Sequence, residues 1–191
     1  MRYDPNLTRL KKPAIRVKRQ PIIAQDLFNE MDFTELGNQP LANINGPSVI
    51  RVPNWVTHRF GKYYLYFAHH KGTSIRLAYA DQITGPWRMH KKPVLSLEHS
   101  LFVSKDLDPE TRRDWVNGPD YLYAHVASPD VHVDHQNKQI VMFFHGLMPD
   151  GDQQSRLSTS SNGLSFTAAP LHHPIILSAA ASLALMKSCA R

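Results

Sequence analysis

The sequence predicts an all-β fold, and three observations support this prediction. Proline is more frequent than glycine, with 14 residues against 9, and proline punctuates turns while it is excluded from helix interiors. Long stretches with helical periodicity are scarce. The third observation is the strongest, because one pattern of short strands and turns is written twice along the chain.

The repeat is defined by landmarks at nearly constant spacing. The first copy contains the segments GPSVIRV, GKYYLYFAHH, SIRLAYADQITGPW and KKPVL, and the second contains SPDVHVD, NKQIVMFFHG, QSRLSTSSNGLSFT and HHPII. The matched landmarks are Pro47 and Pro129, 82 residues apart, Lys62 and Lys138, 76 apart, Arg76 and Arg156, 80 apart, and Pro93 and Pro174, 81 apart. Four matches in the same order indicate that one unit has been duplicated.

Each copy predicts four short strands separated by turns. The first strands are predicted at 49–52 and 131–133, the second at 63–69 and 139–145, the third at 75–80 and 156–159, and the fourth begin at Trp87 and Phe166. The second strands are apolar on consecutive residues, which is typical of a strand that is covered on both faces. Gly85 and Gly163 fall in the turns before the fourth strands, where glycine tolerates the turn dihedrals.

A four-stranded unit in tandem, with each sheet covered by the next, is typical of a β-propeller. A β-sandwich with a repetitive sequence is the alternative. At about 80 residues per repeat, a five-bladed propeller needs roughly 300–400 residues, so the 191 residues predict a partial propeller. The predicted divisions are an N-terminal segment with a strand of an incomplete blade at 1–42, a first blade at 43–97, a linker at 98–126, a second blade at 127–176 and a divergent tail at 177–191.

Two segments of the first copy carry a resemblance to a known family. GKYYLYFAHH at 61–70 and SIRLAYADQITGPW at 74–87 resemble the blade signature of the five-bladed propeller glycosidases of glycoside hydrolase family 43, the arabinanase and β-xylosidase group. The resemblance spans residues 43–174. It implies a truncated five-bladed β-propeller from a carbohydrate-active protein that hydrolyses O-glycosidic bonds of an oligo- or polysaccharide. A propeller that binds glycans or proteins without catalysis is the alternative.

The resemblance also implies where carboxylates should lie. Enzymes of this group place an aspartate before a proline at the start of an innermost strand, because glycoside hydrolysis uses one carboxyl group as acid and another as base or nucleophile. Gly46 and Ser128 occupy the matching positions here, and neither can act as a base. Asp130 is therefore the leading catalytic candidate and Asp120 the weaker one, although either could be a turn aspartate that accepts backbone hydrogen bonds. The general acid is expected in further blades.

Histidine and tryptophan supply the candidates for substrate binding. The chain has 11 histidines, and His69 and His145 are expected at matching places in the two copies. Neutral imidazoles near an aspartate can bind ligands or move protons, but packed histidines are the common alternative. No metal-binding motif occurs, so neither a metal nor another cofactor is predicted. The predicted substrate-binding residues are His69, His70, His125, His132, His145, Trp55 and Trp115.

Charge and cysteine content restrict the remaining function classes. The net charge of +6 comes largely from lysines and arginines within residues 9–19, a pattern typical of a charged edge strand. A polyanion site is the alternative, and nucleic acid is not predicted as a partner. The single cysteine, Cys189, cannot form an internal disulfide. No secretory signal is recognised, and the longest apolar stretch, at 175–186, is too short to span a bilayer. A cytoplasmic location is expected by default, and the oligomeric state is left open.

Overall fold

The fold is all-β, as predicted. A computed structural model describes residues 44–111 and 122–170, and these residues form two antiparallel sheets. The predictions for 1–42 and 177–191, and those for Trp115 and Asp120, lie outside the described residues. Sheet A contains β1 (Asn45–Arg51), β2 (Tyr63–Ala68), β3 (Ser74–Ala80), β4 (Arg88–Met89) and β5 (Leu95–Ser96). Sheet B contains β6 (Val126–Asp134), β7 (Gln139–Leu147), β8 (Gln153–Ser160) and β9 (Thr167–Ala168).

The two sheets have the same strand order as the chain. Sheet A runs β1-β2-β3-β4, with β5 also paired to β3, and sheet B runs β6-β7-β8-β9. Short 3-10 turns occur at Leu97–His99 and Pro109–Thr111. The second strands are buried on both faces, as their consecutive apolar residues predict: five of the six residues of β2 are buried. Trp87 and Phe166, at which the fourth strands were predicted to begin, are both buried core residues immediately before β4 and β9.

The first strand of each sheet carries the same irregularity at the same position. A β-bulge interrupts the register between Asn45 and Ser48 in β1 and between Ala127 and Asp130 in β6. Within each bulge one residue has a positive φ, 54° at Gly46 and 51° at Ser128. Such a bulge bends the strand and re-aims the side chains that follow it. Each bulge therefore sets the direction in which its strand, β1 or β6, continues after its first residues.

The registers define which residues of the two sheets are equivalent. After the bulge, Ser48 lies opposite Tyr66 in sheet A, and Asp130 lies opposite Phe143 in sheet B. Tyr66 and Phe143 are therefore equivalent, at a spacing of 77 residues rather than 76. The expected match of His69 with His145 is wrong by one residue for the same reason, because His145 occupies the position of Ala68. A shift of one residue moves a strand side chain to the opposite face.

The sheets stack front to back. We call the side of sheet A that carries Tyr64, Tyr66 and Leu77 its front face, and the opposite side, with Leu65 and Phe67, its back face. The front face of sheet A shares one hydrophobic core with Ile140, Met142 and Phe144 of β7. By register these three residues are equivalent to Tyr63, Leu65 and Phe67, so they form the back face of sheet B. The two sheets thus have the same orientation, and the front face of sheet B, with Val141, Phe143 and His145, points away from sheet A.

Hydrogen bonds between the sheets complement this core. The hydroxyl of Ser48 accepts the backbone N–H of Val131 at 2.9 Å, and the N–H of Val126 donates to the carbonyl of Gly72 at 2.9 Å. The hydroxyl of Tyr66, a fully buried residue, donates to the carbonyl of Gly163 at 3.0 Å. Each bond pairs a polar group that would otherwise be costly to bury.

Candidate functional site

The residues predicted to bind substrate meet, in part, at one edge of the two sheets. We call this the strand-start edge, because β1 and β6 begin there. The strands β2 and β7 end there, since Asn45 pairs with Ala68 and Ala127 pairs with His145. The edge is compact, since a Cβ atom added to Gly46 would lie 2.5 Å from the Cα atom of Ser128. The first strands of the two sheets therefore lie close together where the candidate side chains are found.

Three histidines and a tyrosine form the centre of this edge, and we call them the histidine cluster: His70, Tyr123, His125 and His145. The ring centroids of Tyr123 and His125 are 4.7 Å apart, and those of His125 and His145 are 5.4 Å apart. The rings of His70 and Tyr123 lie 6.4 Å apart. Successive ring contacts thus connect the turn after β2, the segment before β6 and the end of β7.

Hydrogen bonds fix the tautomers of two of these histidines. The amide nitrogen of Asn45 lies 2.8 Å from Nδ1 of His70; since an amide nitrogen only donates, Nδ1 accepts and the neutral ring carries its proton on Nε2. Nδ1 of His125 lies 2.9 Å from the carbonyl oxygen of Tyr123, so Nδ1 donates and the neutral ring keeps a lone pair on Nε2. At this edge the exposed His70 presents an Nε2–H donor, whereas His125 is only 1% exposed and keeps its ring inside the fold.

The environment of the cluster favours uncharged imidazoles. Burial lowers the pKa of His125; its hydrogen bond to the Tyr123 carbonyl opposes this effect, and the neighbouring His70 adds to it. Burial also lowers the pKa of His145, and the nearby His125 and His70 lower it further. Both shifts have the same physical origin, because a buried charge loses hydration and like charges repel. Near neutral pH both rings are uncharged.

These pKa shifts predict a stability that falls as the pH falls. The two histidines bind protons less readily in the folded than in the unfolded chain, where the pKa is about 6.5. Acidification from pH 7.5 to 5.5 therefore lowers the free energy of unfolding, since the unfolded chain takes up more protons. We expect the double variant His125→Gln, His145→Gln to depend less on pH over this range in urea unfolding followed by circular dichroism. An equally steep pH dependence in the variant would contradict the assignment.

Asp130, the leading catalytic candidate, lies on the front face of sheet B, which points away from the core between the sheets. Asp130 is 62% exposed, and its Oδ2 is 2.9 Å from Nε2 of His132. Asp130 lies opposite Phe143 and His132 opposite Val141, so the pair belongs to the front face of sheet B. The ring of Phe143 contacts that of His132, with centroids 6.1 Å apart. The structure thus gives Asp130 a histidine partner in a solvent-accessible position.

The other predicted substrate-binding residues are separated from the cluster. Trp55 follows the end of β1 and packs edge-on against His135 in the turn between β6 and β7, with centroids 5.4 Å apart. This turn is at the opposite end of the strands, so Trp55 does not belong to the strand-start edge. His69 directly precedes His70 in the sequence. Its Nδ1 accepts a hydrogen bond from the backbone N–H of Lys71 at 3.1 Å. That bond stabilises the turn that presents His70.

Two residues of the edge were not predicted from the sequence. Asn45 sets the tautomer of His70, and the ammonium group of Lys71 lies 4.9 Å from the centre of the Tyr123 ring. Asn45 is in the segment just before Pro47, and Lys71 follows the two adjacent histidines. Both positions adjoin segments of the repeat, but only the folded chain shows which turn meets which strand.

A concave surface lies on the outer strands, away from the strand-start edge. An open groove of about 860 Å³ separates β5 from β9, and the hydroxyl of Ser96 contacts Nδ1 of His99 at 2.7 Å beside it. Of the predicted substrate-binding residues that the structure describes, none lines this groove. Among residues 44–111 and 122–170, no three histidine, cysteine or acidic side chains converge to hold a metal ion. No helix in these ranges is long and apolar enough to cross a membrane.

Comparisons with known proteins give partial matches. No protein-family model matches the chain. The chain is 32% identical over 135 residues to an uncharacterized protein of Acanthamoeba polyphaga mimivirus, a match that covers 65% of this chain and 35% of the viral protein. The GH43_1 enzyme from Xanthomonas citri, which has also been solved with xylose and with xylotriose, superposes with a TM-score of 0.44 at 17% identity, covering 70% of this chain and 33% of the enzyme.

A glycoside hydrolase of family 117 from the marine bacterium Zobellia galactanivorans superposes to a similar extent. Its TM-score is 0.45 at 16% identity, with 71% of this chain and 34% of that enzyme covered. The chain therefore spans about a third of the length of the proteins named here.

Proposed function

We propose that this chain is a carbohydrate-active protein in which residues 43–97 and 127–176 are adjacent blades of a β-propeller of the five-bladed glycosidase type. The front-to-back stacking of sheets A and B supports the architecture, because it repeats one packing arrangement instead of pairing two front faces as a sandwich does. The family 43 blade signature at 61–87 supports the class of function.

The glycan-binding site is proposed at the strand-start edge, and the exposed ring of His70 beside the half-buried Tyr123 is the observation that carries the proposal. A sugar hydroxyl can accept a hydrogen bond from Nε2 of His70. His125 is only 1% exposed, so it packs against Tyr123 from within the fold and does not contact the ligand. Tyr123, which lies between these two histidines, adds an aromatic surface of the kind on which an apolar sugar face can pack.

Hydrolysis of an O-glycosidic bond is the leading activity. Asp130 is the proposed carboxylate, because it is exposed and its Oδ2 lies 2.9 Å from Nε2 of His132. The reaction needs a second carboxyl group, and Asp120 is the weaker candidate from this chain. Binding without catalysis is the second candidate function, and the specific observation that favours it is the pair Gly46 and Ser128. Both occupy bulge positions at which the family 43 pattern has an aspartate.

Calorimetric titration with a panel of plant oligosaccharides tests the binding proposal. We expect His70→Ala and His145→Ala each to weaken binding about five-fold, because each removes a polar contact worth roughly 1 kcal/mol. His58→Ala is the matched control, since His58 is exposed in the loop between β1 and β2 at the opposite end of the strands. Equal effects of all three substitutions, or no binding by the unaltered protein, would overturn the proposed site.

Release of reducing sugar from aryl glycosides and polysaccharides separates the two candidate functions. If the protein hydrolyses any member of the panel, Asp130→Asn should lower the rate at least about 100-fold, as expected for loss of a general acid or base, with glycan affinity kept. Binding without turnover by the unaltered protein would favour the non-catalytic function. Unchanged turnover in Asp130→Asn would remove Asp130 from the mechanism.

A further inference from the structure

The outer edges of β3 and β8 carry equivalent backbone groups but differ in their partners. Three alternate carbonyls along β3 accept hydrogen bonds at 2.7–2.9 Å from the chain after β4: Leu77 from His90, Ile75 from Val94 and Thr73 from Leu97. On β8, Leu157 accepts the N–H of Ala169 at 2.8 Å. The carbonyls of Ser155 and Gln153 point the same way, because the backbone groups of alternate strand residues lie on one side, but neither has a partner within 44–111 and 122–170. We call residues 153–155 the open edge of β8.

The burial of the two strands differs at the same positions. Ser74 and Ile75 are 5% and 0% exposed, and β5 pairs with both of them. Their equivalents by register, Gln154 and Ser155, are exposed. The open edge of β8 is therefore the place where sheet B lacks the counterpart of β5, and such an edge is a template for pairing with a further strand.

The groove between β5 and β9 lies where β9 stops. β9 forms one wall of the groove and ends at Ala168, where it pairs with Ser158 of β8. β5 and the residues beside it form the opposite wall. Leu101, which also lines the groove, leaves a large apolar side chain 49% exposed. A strand that continued from β9 along β8 would therefore have apolar surface of sheet A to cover.

The chain contains a segment that matches β5 in sequence and in distance. KKPVL at 91–95 corresponds to HHPII at 172–176. Val94 is four residues after His90, and Ile175 is six residues after Ala169. Six residues reach up to about 20 Å, whereas two residues along β8, from Leu157 to Ser155, span only about 7 Å. The connection is long enough for the same pairing.

From this combination of an open edge, an adjoining groove and a matching segment, we propose that residues 174–176 pair with the open edge of β8 and lie in the groove. By the register of sheet A, Ile176 lies opposite Ser155, as Leu95 lies opposite Ile75. The N–H of Ile175 donates to the carbonyl of Ser155, as Val94 donates to Ile75. The inference goes beyond the proposed function, because it concerns how sheet B is completed and not what the protein binds.

Paired cysteines test the proposed register in the full chain. With Cys189→Ser, which removes the only cysteine, the pair Ser155→Cys and Ile176→Cys should form an intramolecular disulfide in glutathione buffer, because directly opposite strand residues lie close enough. Ser161→Cys with Ile176→Cys is the matched control, since Ser161 is exposed in the turn after β8, about 20 Å farther along. We expect an effective concentration at least about ten-fold higher for the first pair, measured by peptide mapping with mass spectrometry.

Two results of this experiment would overturn the inference. Equal cross-linking of the two cysteine pairs would show that the segment has no preferred register on β8. Disulfide-linked dimers of the first pair, seen on a non-reducing gel, would show that a second copy of the chain supplies the strand.

Hydrogen exchange then distinguishes strand pairing from a passing contact. The amide of Ile175 should exchange at least about 100-fold more slowly than in an unfolded chain, and Ser155→Pro should abolish this protection. Proline at an outer edge blocks a further strand without removing a bond to the inner neighbour, so the amide of Met142 on β7 should stay protected and report that the sheet is folded. An unprotected Ile175 amide in the folded chain, or protection that survives Ser155→Pro, would overturn the inference and leave the proposed glycan site untouched.

Discussion

Replacing Gly46 with alanine is expected to lower the free energy of unfolding by about 3 kcal/mol, a large effect for a single methyl group. Gly46 has a φ of 54°, a left-handed conformation that disfavours any side chain with a Cβ atom. The added Cβ would also lie 2.5 Å from the Cα atom of Ser128, which is backbone and cannot move aside alone. Urea unfolding of Gly46→Ala and the unaltered protein measures the difference.

Ser128→Gly is the matched control for this substitution. Ser128 has nearly the same φ, 51°, at the equivalent position of sheet B, but here the change removes a Cβ atom. The substitution relieves the left-handed strain at this position, which stabilises the folded chain by about 1 kcal/mol. Glycine also has more freedom in the unfolded chain, which lowers the stability by about 1 kcal/mol. The net change in the free energy of unfolding should therefore be small. A small loss in Gly46→Ala, equal to that in Ser128→Gly, would contradict the close approach of β1 and β6.

Truncation of Tyr66 to alanine should cost about 3–5 kcal/mol, the range for a large aromatic side chain in a core. Tyr66 is fully buried between the sheets, packs edge-on against Phe166 with centroids 5.7 Å apart and donates its hydroxyl to Gly163. Tyr66→Phe separates the two contributions, because it removes only the hydrogen bond and leaves the Gly163 carbonyl unpaired, at a cost of about 1–3 kcal/mol.

Phe143→Ala is the comparison that tests the stacking of the sheets. Phe143 occupies the register position of Tyr66 but lies on the front face of sheet B, where it is only partly buried. Its loss should therefore cost about half as much as the loss of Tyr66, since less apolar area leaves water on folding. Equal losses from the two truncations, measured by urea unfolding, would indicate that both front faces are covered alike.

The strands could be predicted because their signals are local. The consecutive apolar residues of Tyr63–Ala68 and Gln139–Leu147 indicated strands with both faces covered, and the spacing of Pro47 and Pro129 located the two bulged strands. The alignment of the second strands was one residue off, because Lys62 and Lys138 lie in turns whose lengths differ between the copies. A landmark in a turn does not fix the register of the strand that follows it.

The candidate site was predictable as a set of residue types but not as an arrangement. The sequence singled out His70, His125 and His145, which the fold brings together at one edge. It also grouped Trp55 with them, although Trp55 lies at the other end of the strands beside His135. Which end of a strand a loop residue faces depends on pairing between distant segments, such as the bond from Val126 to Gly72, and no local pattern records that pairing.

Nuclear Overhauser contacts of the Tyr66 ring test the front-to-back stacking of the duplicated sheets most directly. Front-to-back stacking predicts cross-peaks from the Tyr66 ring to the ring of Phe166. It also predicts cross-peaks from the side chain of Ser48 to the amide proton of Val131, because these groups are hydrogen-bonded at 2.9 Å. Cross-peaks from Tyr66 to Phe143 instead would place the two front faces against each other as in a sandwich, and would contradict the front-to-back stacking.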